Sequence, residues 1–319
     1  MIMHNVFIKG TGAYVPEKVI HNDFFEKVGS SDEWIYNTLG IKERRVVTNE
    51  KSSDLAAKAG KKAIENAGLS VNDIDLIIVA TSTPDKQAPS CACYVQEKLK
   101  AHQAVAFDLS AVCSGAMFAI SVGYQFVKNN TYQNVLVIGA DTFSEIIDWN
   151  RRDAVFFGDG AGALVLSQTK EDKGFIGFNL FSDGRGANHF TIENKSPNEA
   201  HSKAYFYMDG KEIYNGATQL VPQAIRQLLD KNKISVTEID LMVPHQPSIG
   251  ILKSIAKQIG LPFEKVLTNM DKYANTSGGT IPIALDDAVK QGKFDAAKYV
   301  LFAAVGAGMT WGTALYKTK

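Results

Sequence analysis

Cysteine is scarce in this chain: three in 319 residues cannot build a disulfide framework, and an odd count leaves at least one thiol free. That usage fits a reducing, cytoplasmic setting. Neither sign of charge is in excess. Lys plus Arg and Asp plus Glu both number 34, so no general field draws the chain to nucleic acid or to an anionic membrane. No apolar run approaches the roughly 18 residues of a membrane span, and the opening MIMHNVFIKGTG lacks the features of a signal peptide. No metal centre is expected, because Cys91-Ala92-Cys93 lacks zinc-knuckle spacing and has no companion cluster; both cysteines read as buried helix residues. A phosphate loop is missing too. GDGAGA (158–163) leads into strand-like ALVLS rather than opening a helix, so its glycines read as backbone crowding near a site.

What is present is a chain 45% hydrophobic and 21% charged, ordinary for a globular protein and long enough for two domains or one double-sized unit. Asn5–Lys9 reads as a first strand, and SSDEW (30–34) as a capped helix start. Trp34 reads as a half-buried packing residue, and Arg44–Arg45 as a solvated face. From Ser52 an amphipathic helix, a turn and the strand in SVNDIDLIIVATSTP follow in order. AIRQLLDKNKISVTEIDLMVPHQP repeats that order: Ile74 matches Ile239 and Val135 matches Val300, both 165 residues apart. One offset over separated elements implies internal duplication, with mainly parallel sheets covered by helices in two halves about a pseudo-twofold axis.

Ala104–Leu109 reads as a buried strand, and Met117, Phe118, Ile120, Val122, Tyr124 and Val127 as a largely buried helix beyond it. Cys113 then sits at a helix N-terminus, where free N–H groups and the macrodipole favour a thiolate nucleophile; a free cysteine is also often only a small buried hydrophobe. The 165-residue offset carries Cys113 to Gly278, inside ANTSGGTIP, so the equivalent turn holds Asn275. His245, in LMVPHQPS, falls opposite Ala80 at a strand end. The other histidines, His4, His21, His102, His189 and His201, read as surface residues. If the halves face each other, Cys113, His245 and Asn275 converge at the carboxyl ends of strands. VGAGMTWG (305–312) can place backbone N–H groups against a substrate oxygen. A Cys-His-Asn set also serves papain-like proteases, so it does not choose a reaction by itself, although the duplicated α/β context does not suit that fold.

At GTGAYVPEKV, SDEWI, GIKERR, the Cys113 turn, FGDGAGA, VPHQ, NTSGG and GMTWGTAL the chain resembles, nearly end to end, the β-ketoacyl-acyl carrier protein synthase III family of the thiolase superfamily. The resemblance implies an α/β, duplicated five-layered αβαβα thiolase-like fold, usually a homodimer, with residues 1–170 carrying the cysteine and 171–319 the histidine and asparagine. It implies that Cys113 takes an acyl group from acyl-CoA, with an oxyanion hole at the N–H groups of Cys113 and Ala307. His245 and Asn275 would stabilise the enolate formed when malonyl-ACP or malonyl-CoA loses CO2. Trp34 and Arg151, with Arg152 beside them, match positions that sandwich the CoA adenine, and Ser248 one that lines the pantetheine tunnel. Ala88 stands where short-chain enzymes carry a Phe that closes the partner subunit's acyl pocket. Thr38 and Gly250 replace two arginines that meet CoA phosphates and carrier protein. No cofactor beyond these substrates is implied. The alternatives are a same-fold acyltransferase without condensation and a non-catalytic ketosynthase partner subunit.

Overall fold

A computed structural model describes residues 5–192 and 205–319; His4, His201 and the polar stretch ENKSPNEAHSK lie outside them. The first half runs β1 (Asn5–Tyr14), β2 (Lys18–His21), α1 (Asp32–Leu39), β3 (Glu43–Val46), α2 (Ser52–Asn66), β4 (Leu76–Ala80), α3 (Cys91–Leu99), β5 (Val105–Leu109), α4 (Gly115–Lys128), β6 (Asn134–Thr142) and β7 (Asp159–Thr169). The second runs β8 (Gly174–Ser182), β9 (Phe190–Ile192), β10 (Phe206–Met208), α5 (Gly210–Asn232), β11 (Leu241–Pro244), α6 (Ile249–Ile259), α7 (Met270–Tyr273), α8 (Thr280–Lys290), α9 (Lys293–Ala296), β12 (Tyr299–Gly306) and β13 (Thr310–Lys317).

Apolar side chains decide the layering. β4 is buried along its whole length, as LIIVA on both faces of a sheet must be, and the small residues of α2 seat it on β1, β6 and β7 beside α3. Helices α4 and α8 lie between the two sheets, and α5 with α6 covers the far side of the second. The result is helix, sheet, helix, sheet, helix. The first sheet has the order β1-β7-β6-β4-β5 and the second β11-β12-β13-β8. Counted from the start of each half, the second repeats the first without its β5 equivalent, where a single bridge from Met242 to Val266 remains. The 165-residue offset relates β4 to β11, β6 to β12 at their first residues, and the single turns Val112–Ser114 and Ser277–Gly279 that open α4 and α8.

Three sequence expectations are corrected. The sheets are mixed rather than mainly parallel, because β6 and β12 pass to β7 and β13 without a helical crossover and so reverse direction. β5 is an edge strand with Val105 47% exposed, since a short apolar run does not say whether a neighbour covers it. Arg44 is not solvated. It is fully buried, donating to the carbonyls of Ile20 and Val155 and to Asn22 Oδ1 with its guanidinium 4.5 Å over Phe25. Cys91 and Cys93 are both free thiols on α3; Cys91 is buried as expected, whereas Cys93 is only half-buried.

Candidate active site

The two duplicated turns meet at the centre of the molecule, and close backbone approach lets them. A Cβ on Gly139 of β6 would overlap the Gly278 carbonyl, and one on Gly162 of β7 the backbone of Ile283, so the crowding read into GDGAGA is real at Gly162. The fully buried carboxylate of Asp141 accepts from Ser82 N at 2.7 Å and Gly278 N at 2.9 Å, tying the first half to the second. Val112 and Ser277, which correspond under the offset, both adopt positive φ, 46° and 51°.

Cys113, His245 and Asn275 line one cavity of about 260 Å³ together with Phe156, Met208 and Ala307. A wider cleft of about 810 Å³ lies between Lys18–His21, Val46–Thr48 and Trp149 and holds none of the three. Cys113 is 8% exposed, its sulfur 3.7 Å from the Ser277 hydroxyl oxygen. Burial pushes the thiol up to about 12, against the hydrogen bonds of Ser277, Asn275 and its own backbone N–H. Desolvation is the largest influence on this thiol and opposes the thiolate that a helix end favours.

His245 follows β11, its N–H bonded to Ala303 O, and its ring Nδ1 lies 2.7 Å from the Thr280 hydroxyl. Burial holds the imidazole down to about 3, so it stays neutral at ordinary pH. Asn275 is fixed through its backbone to Phe156 O and Gly158 N, while its Oδ1 accepts from Ser277 N at 2.8 Å. With that oxygen engaged, the amide NH2 remains to donate.

The expected binding residues are less tightly gathered. Ser248 caps α6 and lines the cavity, and Thr38 and Gly250 stand in the same wall. Trp34 lies on α1 one turn from Thr38; Arg152, not Arg151, lies over its indole at 4.3 Å. Arg151 instead pairs with Asp153 and donates to Phe206 O. Ala88 sits on an exposed loop and does not line this chain's cavity. Reading the sequence missed Ser277 and Thr280, although both stand inside the NTSGGT stretch that marked Asn275. It also missed Phe156 and Met208, for which local pattern offers no signal.

The family model described as 3-Oxoacyl-[acyl-carrier-protein (ACP)] synthase III matches residues 107–184, and that of the synthase III C terminal residues 229–318. The chain is similar to a β-ketoacyl-[acyl-carrier-protein] synthase III of Clostridium perfringens, 41% identical over 99% of this chain and 100% of the relative. The crystal structure of 3-oxoacyl-[acyl-carrier-protein] synthase III from Aquifex aeolicus superposes with TM-score 0.93 at 39% identity, covering 98% of this chain and 99% of that one. The priming β-ketosynthase of the R1128 polyketide pathway superposes with TM-score 0.92 at 27% identity, covering 99% and 97%. Two matched family models and relatives about 40% identical over the full length, on a duplicated thiolase-like fold, place the chain in the β-ketoacyl-[acyl-carrier-protein] synthase III family, among the acyltransferases.

Proposed function

We propose that the chain primes chain growth by decarboxylative condensation, taking an acyl group from acyl-CoA and joining it to a malonyl thioester. The convergence of Cys113, His245 and Asn275 on one cavity carries this reading. The Cys113 sulfur attacks the acyl carbonyl, the bond to the CoA sulfur breaks, and CoA leaves with the thiol proton. The N–H groups of Cys113 and Ala307 hold the oxyanion, one such donor being worth about 2.7–4 kcal/mol. The malonyl thioester then loses CO2, leaving its electron pair as an enolate whose oxygen takes hydrogen bonds from His245 and the Asn275 amide. The enolate carbon attacks the acyl carbonyl, the carbon–sulfur bond to Cys113 breaks, and the thiolate regains a proton from solvent. CoA lies toward Trp34, Arg151 and Arg152, with Ser248 along the pantetheine path. The protein works in the cytoplasm as a homodimer joined through the exposed edge of β5, and Ala88 of each subunit borders its partner's acyl pocket.

Gly250 puts no cation at the cavity wall to meet a carrier protein, which lowers dependence on carrier-bound malonate relative to malonyl-CoA. Intact-protein mass spectrometry after incubation with acyl-CoAs from acetyl to dodecanoyl tests the first half-reaction: an adduct lost in Cys113→Ser is expected, and no adduct with any donor overturns it. Release of CO2 from malonyl-CoA by the acylated enzyme tests the second; an adduct without CO2 release would identify a plain acyltransferase. A strong rate preference for malonyl carrier protein over malonyl-CoA would overturn the donor assignment. Gly250→Arg should raise use of the carrier protein, since a Cβ there meets nothing closer than Thr38 O at 3.8 Å.

A further inference from the structure

The neutral imidazole of His245 carries one ring hydrogen, and the nitrogen that holds it decides what the cavity meets. Among the described residues, the Thr280 hydroxyl is the hydrogen-bond partner of Nδ1, at 2.7 Å. That hydroxyl has one hydrogen and two acceptors in reach, the ring nitrogen and the Ser277 carbonyl at 2.9 Å. The carbonyl does not depend on it, because the backbone N–H of Thr280 already bonds to Ser277 O where the turn closes. The hydroxyl hydrogen can go to either acceptor, and the ring nitrogen is the nearer of the two.

The duplication adds an internal comparison. Under the 165-residue offset His245 corresponds to Ala80 and Thr280 to Gly115, and a Cβ on Gly115 would lie 3.1 Å from that of Ala80. The fold brings these two positions together in both halves. Only in the second half does the pair carry a hydrogen bond.

We propose that Thr280 is a positioning residue that fixes the tautomer of His245: its hydroxyl donates to Nδ1, and the single ring hydrogen stands on Nε2 as a donor facing the cavity. The inference rests on the condensing reading, in which the imidazole must give a hydrogen bond to the thioester oxygen of the extender. In the other tautomer Nε2 would present a lone pair to an oxygen gaining negative charge. Acyl transfer to Cys113 needs no donor at that nitrogen, so the two half-reactions should respond differently.

Nitrogen-15 NMR of imidazole-labelled protein, with His245→Asn to assign the signal, reads the tautomer directly and needs no active enzyme. Hydrogen on Nε2 is expected, and hydrogen on Nδ1 in the native protein overturns the proposal. Thr280→Val keeps the β-branched shape; it should leave acylation of Cys113 by acyl-CoA intact while slowing CO2 release from malonyl-CoA by roughly 10- to 100-fold, the scale of a lost positioning contact. Thr280→Ser should restore it. Equal loss of both steps in Thr280→Val, or no loss of CO2 release, would also overturn the proposal. If the native protein takes no acyl group and releases no CO2, the condensing reading fails by itself, while the NMR result still stands for the tautomer.

Discussion

His245 is a base that the fold keeps from its proton, and this couples the site to acid stability. Unfolded, its imidazole titrates near 6.5; folded, burial lowers it to about 3. Between those values the unfolded chain holds a proton that the native chain does not, so stability falls as the pH falls, by up to about 1.4 kcal/mol per pH unit for this one group. His245→Asn should flatten the decline of the urea midpoint between pH 6.5 and 4.5 relative to the parent; an unchanged slope would show that the ring gains a proton without unfolding. At this scale the sequence named the three polar groups that share the cavity but not their states. Type and spacing identify a cysteine at a helix end, whereas its pKa follows from the atoms that exclude water, and those come from remote segments. Arg44 gives the same lesson, since the carbonyls of Ile20 and Val155 that enclose it lie far apart in the chain.

Turns, more than helices or strands, carry the geometry of the site. Gly139→Ala would drive a methyl group into the Gly278 carbonyl, so we expect a loss of about 1–3 kcal/mol in stability together with slower acylation of Cys113, because the displaced turn also holds Ser277 and Asn275. A variant as stable and as quickly acylated as the parent would show that the two turns can move apart freely. Much at this scale was legible beforehand: the 165-residue repeat located β4 and β11, β6 and β12, and the two turns, because each half buries the same pattern against the same neighbours. Strand direction in β7 and β13 was not legible, since it depends on how the chain returns rather than on which residues are apolar. Nor was the exposure of β5, whose VAFDL would suit a covered strand equally well. Thr280 escaped because its contact with His245 spans 35 positions and no periodicity reports it.

Edges matter most for the whole molecule. β5 is the last strand of the first sheet among the described residues, with Val105 exposed, which is where a second copy would extend the sheet. If the proposed homodimer pairs along this edge, Val105→Lys should shift the mass measured by light scattering toward that of a monomer without lowering helix content; an unchanged dimer mass would place the contact elsewhere. The facing turns also bear on how the active protein arises. Cys113 lies in one half, His245 and Asn275 lie in the other, and Asp141 binds Gly278 across the join. Each half on its own thus holds only part of the cavity's polar set, and under the proposed reaction competence is a property of their docking. During refolding, the return of acyl transfer should lag behind the return of helical signal, making thioester formation a clock for the final embrace of the two repeats.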